Sequence, residues 1–189
     1  LDRFFGQMQA RYRFDCWHCT VGYPTGVALV HFARGREDIR HLIRCVGEDI
    51  QRDPDIGYGA RLDPRIDRMV REYLPRAQMM IAITDSVADE YRSIGVAESR
   101  IRHVPNGVDL MRFQADVDRR MVRARHGLDP EAFLFLSVGR NHAKKNYRIL
   151  FEAAARLATE ATDPVRPFHL VIVGNGVSDL AAGVNERGL

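Results

Sequence analysis

No apolar run in this chain approaches the roughly 20 residues that a helix needs to cross a bilayer, so the sequence offers no transmembrane candidate. The opening stretch LDRFFGQMQARYRF has neither the apolar centre nor the small-residue cleavage site of a secretory leader. It also lacks an initiator Met, and NERGL at the other end follows a helical pattern, so an internal fragment of a longer protein is expected. Cysteine is scarce, with only Cys16, Cys19 and Cys45. An odd count on strand-like segments argues against a disulfide framework and predicts reduced, buried thiols in a reducing, cytoplasmic compartment. Cys16 and Cys19 form a C-x-x-C without a second pair. They lie on a strand-like segment, so both are expected in a core rather than on zinc. An excess of one charge is lacking too: 28 Lys and Arg face 25 acids, a net charge of +3. Most basic residues sit beside acids on predicted helices, as at 71–73 and 89–92. That pattern reads as solvated helix faces and argues against nucleic acid as a partner. Peripheral attraction to anionic lipid at the inner face of the cell membrane stays open.

What is present is the make-up of a globular protein, 46% hydrophobic and 28% charged. Strand-like runs alternate with helix-like periodic segments. Strands are expected at 14–19, 41–46, 78–83, 101–105, 132–138 and 168–173. The last two are near-continuously apolar and therefore expected to be buried on both faces. A helix is expected over 25–34. Another follows Asp63-Pro64, an N-cap with proline at the first helical position, and carries the stripe Ile66, Met69, Val70, Tyr73 and Leu74. A third opens at Ser86, which forms a capping-box pattern with Asp89, and ends near Gly95. Further helices are expected over 117–126, after 174–176, and from Asn146, the last with Ile149, Leu150, Ala153, Ala154 and Leu157 as its stripe. Such alternation implies an α/β fold with parallel sheets and right-handed crossovers. The turn-rich stretch 104–113, with Asn106-Gly107 and Phe113 as an apolar anchor, reads as a linker between 1–108 and 109–189.

Ligands of parallel α/β sheets bind outside the carboxyl ends of the strands. In SerValGlyArgAsnHisAlaLysLysAsn (137–146), Gly139 leaves a strand end unobstructed, and Arg140 and Lys145 stand before the next helix. A guanidinium and an ammonium there suit a diphosphate, and the helix start adds partial positive charge. When a sugar–diphosphate bond breaks, negative charge builds on the departing group, which fixed cations stabilise more than the ground state. Spacing alone equally allows two solvent-facing cations in a loop. In ValGlyAsnGly (173–176), Gly174 and Gly176 either let backbone approach a nucleotide or make a simple tight turn. A dinucleotide fingerprint fails, because Asp179 stands where its third glycine belongs. In the first half, Gly22 opens the loop GlyTyrProThrGly (22–26), and Glu48 and Asp49 follow a strand. These acids can bind sugar or acceptor hydroxyls or act as a general base, though one is expected to cap the turn. The loop 47–62 is long for a βα connection, and long ordered loops usually carry function. His18 reads as a core histidine, and His142 as exposed beside a phosphate.

In order and spacing, AlaIleThrAspSerValAlaAspGluTyr (82–91), IleArgHisValProAsnGlyValAspLeuMetArgPhe (101–113), SerValGlyArgAsnHisAlaLysLysAsn (137–146) and LeuValIleValGlyAsnGly (170–176) resemble the family 4 glycosyltransferases. That family has the GT-B fold of two Rossmann-like domains. Its G-R-x-x-x-x-K pattern falls on Gly139, Arg140 and Lys145. The likeness is strong from about residue 78 onward and weaker over 14–77. It implies transfer of a hexose, with retention of configuration, from a nucleoside-diphosphate sugar to a glycan or glycolipid acceptor, as in polysaccharide biosynthesis. It also implies neither metal nor cofactor, with Arg140 and Lys145 in the metal's place. By this likeness 1–108 is an acceptor-side domain lacking its start, and 109–189 is the first half of a nucleotide-sugar-binding domain. Two points depart from the family. Val46 stands where many members have a histidine near the reacting sugar, and the E-x-x-x-x-x-x-x-E motif for the donor sugar falls beyond residue 189. The fragment alone is therefore expected to be inactive, and its two-stranded second sheet to fold weakly. The rival readings are a non-catalytic nucleotide-sugar-binding module, a GT-B epimerase or phosphorylase, and a nicotinamide-dependent dehydrogenase.

Overall fold

The computed structural model describes residues 1–114, 117–160 and 167–185. They divide into two compact units, Leu1–Val108 and Asp109–Leu189. The first begins with helix α1 (Asp2–Tyr12), then strand β1 (Trp17–Cys19), helix α2 (Val27–Ala33), β2 (His41–Arg44), α3 (Pro64–Tyr73), β3 (Met79–Ala82), α4 (Asp85–Ser93) and β4 (Ile101–His103). The four strands lie in chain order and every neighbouring pair is parallel. Successive right-handed crossovers that all step the same way place α2, α3 and α4 on one face of such a sheet. Burial agrees. Ile43, Cys45, Met80, Ala82 and Ile101 share a core with Leu29 and Phe32 of α2, Val70 of α3 and Val87, Ala88 and Tyr91 of α4. Alternate strand residues belong to the other face, where His18 and Arg102 are exposed and Leu42, Arg44 and Met79 half-buried.

Local chemistry sets the helix starts. Asp63 caps α3 by accepting the Arg65 N–H at 2.7 Å, with Pro64 at the first helical position. The cap of α4 is Thr84, two residues before the expected Ser86. Its hydroxyl accepts the Val87 N–H, and Ser86 instead hydrogen-bonds sideways to Thr84 and Gln51. The first strand is shorter than 14–19 because Phe14 to Cys16 precede the pairing with β2. Two expectations fall with it. Cys16 is exposed and Cys19 half-buried, so only Cys45 is a core thiol, and His18 lies exposed on the uncovered face rather than in the core.

The second unit contains α5 (Leu110–Phe113), α6 (Arg119–Arg125), β5 (Phe133–Val138), α7 (Tyr147–Glu160), β6 (Phe168–Val173) and α8 (Ala181–Asn185). Strands β5 and β6 are parallel, with Phe133 opposite Phe168 and Val138 opposite Val173. Neither strand is buried on both faces as their composition suggested. Phe133, Phe135, Leu136 and Val138 are exposed, and β6 is mostly half-buried. A run apolar on both sides needs cover on both sides, and among the described residues one sheet neighbour and one crossover helix cannot provide it. Tyr147, Phe151 and Ala154 are the buried positions of α7. The buried stripe is thus rotated from the expected one, leaving Ile149 and Ala153 exposed. Phe113 is 72% exposed and anchors nothing among the described residues. Both units are α/β with parallel sheets, as the alternation predicts.

Candidate functional site

In the second unit, the loops leaving β5 and β6 lie against each other backbone to backbone. The Gly139 N–H donates to the Val173 carbonyl at 2.8 Å, and the Asn141 N–H donates to the Asn175 carbonyl at 2.8 Å. A Cβ on Gly174 would sit 2.0 Å from the Gly139 oxygen, so only glycine allows this approach. The Gly139 carbonyl also accepts the Tyr147 hydroxyl at 2.9 Å, which ties the strand end to the first turn of α7. Gly139 in turn leaves space for the Lys145 stem, whose Cε would lie 3.1 Å from a Cβ there. Gly176 turns the second loop with φ of +70°.

Two cations stand on this platform. Arg140 and Lys145 are exposed. Among the described residues, neither side chain has an ion-pair or hydrogen-bond partner. His142 is half-buried and caps a short helical turn by accepting the Lys144 N–H at Nδ1. Asn146 takes a left-handed conformation, φ +49°, immediately before α7. The edge therefore offers backbone at close quarters, one guanidinium and one ammonium, which is the chemistry of an anion cradle.

In the first unit the loops leaving β1 and β2 are knitted by Asp49, which is buried. Its Oδ2 accepts the Gly22 N–H at 2.5 Å, and Oδ1 accepts the Val46 and Gly47 N–H groups, both at 2.9 Å. Three backbone donors occupy this carboxylate, so its geometry is that of a loop organiser. Gly22 is held so close that a Cβ would meet Cys45 Sγ at 2.6 Å. Burial first, then the nearby charge of Asp49, pushes the Cys45 thiol well above its usual range. The Tyr91 hydroxyl accepts the Cys45 N–H at 2.9 Å and donates to the Ile81 carbonyl at 2.8 Å, bridging β2 and β3 where they end. Glu48 is exposed, and its backbone carbonyl accepts the Ala60 N–H at 2.8 Å. Val46, also exposed, stands at the same edge. Arg44 donates to the Asn106 side chain, which joins the ends of β2 and β4.

The long loop 47–62 is ordered by a residue that the sequence reading passed over. Arg61 is 2% exposed. It donates to Asp67 Oδ1 at 2.7 Å, to Glu90 Oε2 at 2.7 Å and to the Ile50 carbonyl at 2.8 Å, fastening the loop to α3 and α4. Its partners lie up to 29 positions away, so spacing carries no trace of them. Tyr147 was also passed over. A tyrosine at the start of a helix, four before Phe151 and seven before Ala154, was the available signal.

Comparison with known proteins agrees with this architecture. The chain is 34% identical over 78% of its length to D-inositol 3-phosphate glycosyltransferase 2 of Catenulispora acidiphila. It is 32% identical over 79% to the D-inositol 3-phosphate glycosyltransferase of Rhodococcus jostii. It spans only 31% and 30% of those two proteins. Among solved structures, the Anabaena protein HepE in complex with UDP-glucose superposes with a TM-score of 0.64 at 17% identity, over 97% of this chain and 47% of that one. A glycosyltransferase from Rickettsia africae superposes with a TM-score of 0.65 at 14% identity, over 98% and 45%. These two show a shared GT-B fold. The model of Glycosyltransferase Family 4 matches residues 2–112, which takes in α1 to β4 and the Asp49-knitted edge, and the chain is a member of that family.

Proposed function

We propose that this chain belongs to a retaining glycosyltransferase that moves a hexose from a nucleoside-diphosphate sugar to a glycan or lipid acceptor. The observation that carries the reading is the edge of the second unit. Gly139 and Gly174 bring two backbones together there, and the side chains of Arg140 and Lys145 stand beside them with no hydrogen-bond or ion-pair partner among the described residues. As the bond from the anomeric carbon to the diphosphate breaks and a bond to the acceptor oxygen forms, negative charge collects on the departing diphosphate, which also takes the proton that the acceptor hydroxyl loses. Arg140 and Lys145 stabilise that charge in the role a metal fills elsewhere. The first unit serves the acceptor, with Gly22, Glu48 and the loop shaped by Asp49 at its edge. The names of the curated relatives make D-inositol 3-phosphate the first acceptor to try, and the UDP-glucose of the HepE complex makes that the first donor. The protein works in the cytoplasm, at the inner face of the cell membrane where the acceptor is lipid-linked. Among the described residues no helix is long and apolar enough to cross a membrane.

Thermal-shift titration of the chain with UDP-, GDP- and ADP-sugars and with NAD tests the reading. Stabilisation by one of the sugar nucleotides that disappears in Arg140→Ala supports it. A response to NAD alone turns the assignment to a dehydrogenase.

A further inference from the structure

The first unit has a cavity of about 320 Å³ at the amino ends of its strands, the edge opposite the one described above. Its walls are the turn 34–37 between α2 and β2, the segment 73–78 between α3 and β3, and apolar residues of α2. The polar lining is dominated by donors. Arg34, Arg36 and Arg76 bring three guanidiniums, and Glu37 is the one acid. Beneath them His41 is buried with both ring nitrogens engaged, Nδ1 with the Ile39 carbonyl at 3.0 Å and Nε2 with the Gln78 N–H at 3.4 Å. Gln78 Oε1 accepts the His41 N–H at 2.9 Å, so what that side chain has left to offer is its two amide N–H donors. Apart from the exposed Glu37, the acceptors of the lining side chains His41 and Gln78 are thus used internally.

The guanidiniums are also pre-set. Arg36 donates to the Phe32 carbonyl and lies over the Phe32 ring at 4.4 Å, which fixes its plane. Arg76 faces Glu72 at a loose 3.9 Å with both side chains about half exposed, a pairing that contributes little in water. The Arg34 guanidinium has no hydrogen-bond or ion-pair partner among the described residues, while its backbone N–H donates to the His31 carbonyl at 3.2 Å. Planar guanidinium forks match phosphate oxygens two at a time, and a volume near 300 Å³ is at the lower end of small-molecule sites.

We propose that this cavity is a phosphate-binding site, separate from the strand-end edges. It takes the phosphate of a soluble phosphorylated compound or of an anionic lipid headgroup. The site is independent of the glycosyltransferase reading, and its test uses a different part of the molecule.

The test is a titration of the ¹⁵N-labelled chain with inorganic phosphate, followed at the Gly35 amide and the Gln78 side-chain amide. Saturable shifts at both are expected. They should persist in Arg140→Ala/Lys145→Ala, weaken as salt is raised, and require at least about tenfold more phosphate in Arg34→Ala/Arg76→Ala. Both arginines are exposed, so the fold should survive, and unchanged remaining resonances check this. A parallel arm measures sedimentation with vesicles of phosphatidylglycerol in phosphatidylcholine against phosphatidylcholine alone. Phosphate shifts without sedimentation assign the site to a soluble ligand, and sedimentation lost in the double variant assigns it to a headgroup. The proposal is overturned if neither probe acts at Gly35 and Gln78, or if the double variant responds like the parent.

Discussion

Arg61 gathers as many polar contacts as Asp49 does at the strand ends, three each, but two of its partners are charged. Two carboxylates and one carbonyl converge on a guanidinium with almost no exposure. Removing one partner of such an arrangement strands the others, at a cost of about 3–5 kcal/mol. Arg61→Ala should therefore lower the urea midpoint of the first unit sharply or unfold it. The pH dependence follows from Asp67. Burial raises its carboxyl, but hydrogen bonds from Arg71 and Arg61 outweigh this and hold it below the ordinary value. A carboxyl that is more acidic folded than unfolded stabilises the fold above its unfolded value, near 4. That contribution is lost as pH falls through the lower folded value. Stability should thus drop on acidification below about pH 4, and drop less steeply in Asp67→Asn. Thiol reactivity should separate the cysteines just as sharply. Alkylation near pH 8 followed by mass spectrometry should modify Cys16 first, whereas Cys45, buried and made less acidic, should react only on unfolding. Rapid labelling of Cys45 in the folded chain would contradict the geometry at Gly22.

At the scale of elements, α4 discriminates between two caps. Thr84→Ala should cost about 1 kcal/mol, because the Val87 N–H loses its partner. Ser86→Ala should cost less, because that hydroxyl makes only sideways contacts. The pair also shows what was legible in the sequence. The start of α3 could be read because Asp63, Pro64 and the stripe through Val70 act within one or two turns. The parallel order of the strands was legible for the same reason, since alternation is a local signal with a global consequence. The Thr84 cap was misplaced because two hydroxyls two residues apart satisfy the same local rule, and only the backbone path chooses. The exposure of β5 was not legible at all. Composition says what a strand could bury, and only its neighbours decide what it does bury. Asp49 was half legible: a turn cap was expected among the two acids, but the donor from Gly22, 27 residues away, was not.

For the whole molecule, two compact units with unequal cores should not unfold as one. Trp17, the chain's single tryptophan, packs against the first unit's core and reports on that unit alone, whereas far-ultraviolet circular dichroism reports on both. Urea titrations followed by the two signals should not coincide, with the dichroism changing first because the described strands of the second unit are largely uncovered. The central claim lies in that second unit, and isothermal titration of UDP-glucose into the chain tests it most directly. The account predicts saturable binding that is weakened by at least about tenfold in Arg140→Ala/Lys145→Ala, and undetectable in Gly174→Ala, where a methyl would collide with the Gly139 carbonyl. Binding to these variants as tight as to the parent chain would contradict it.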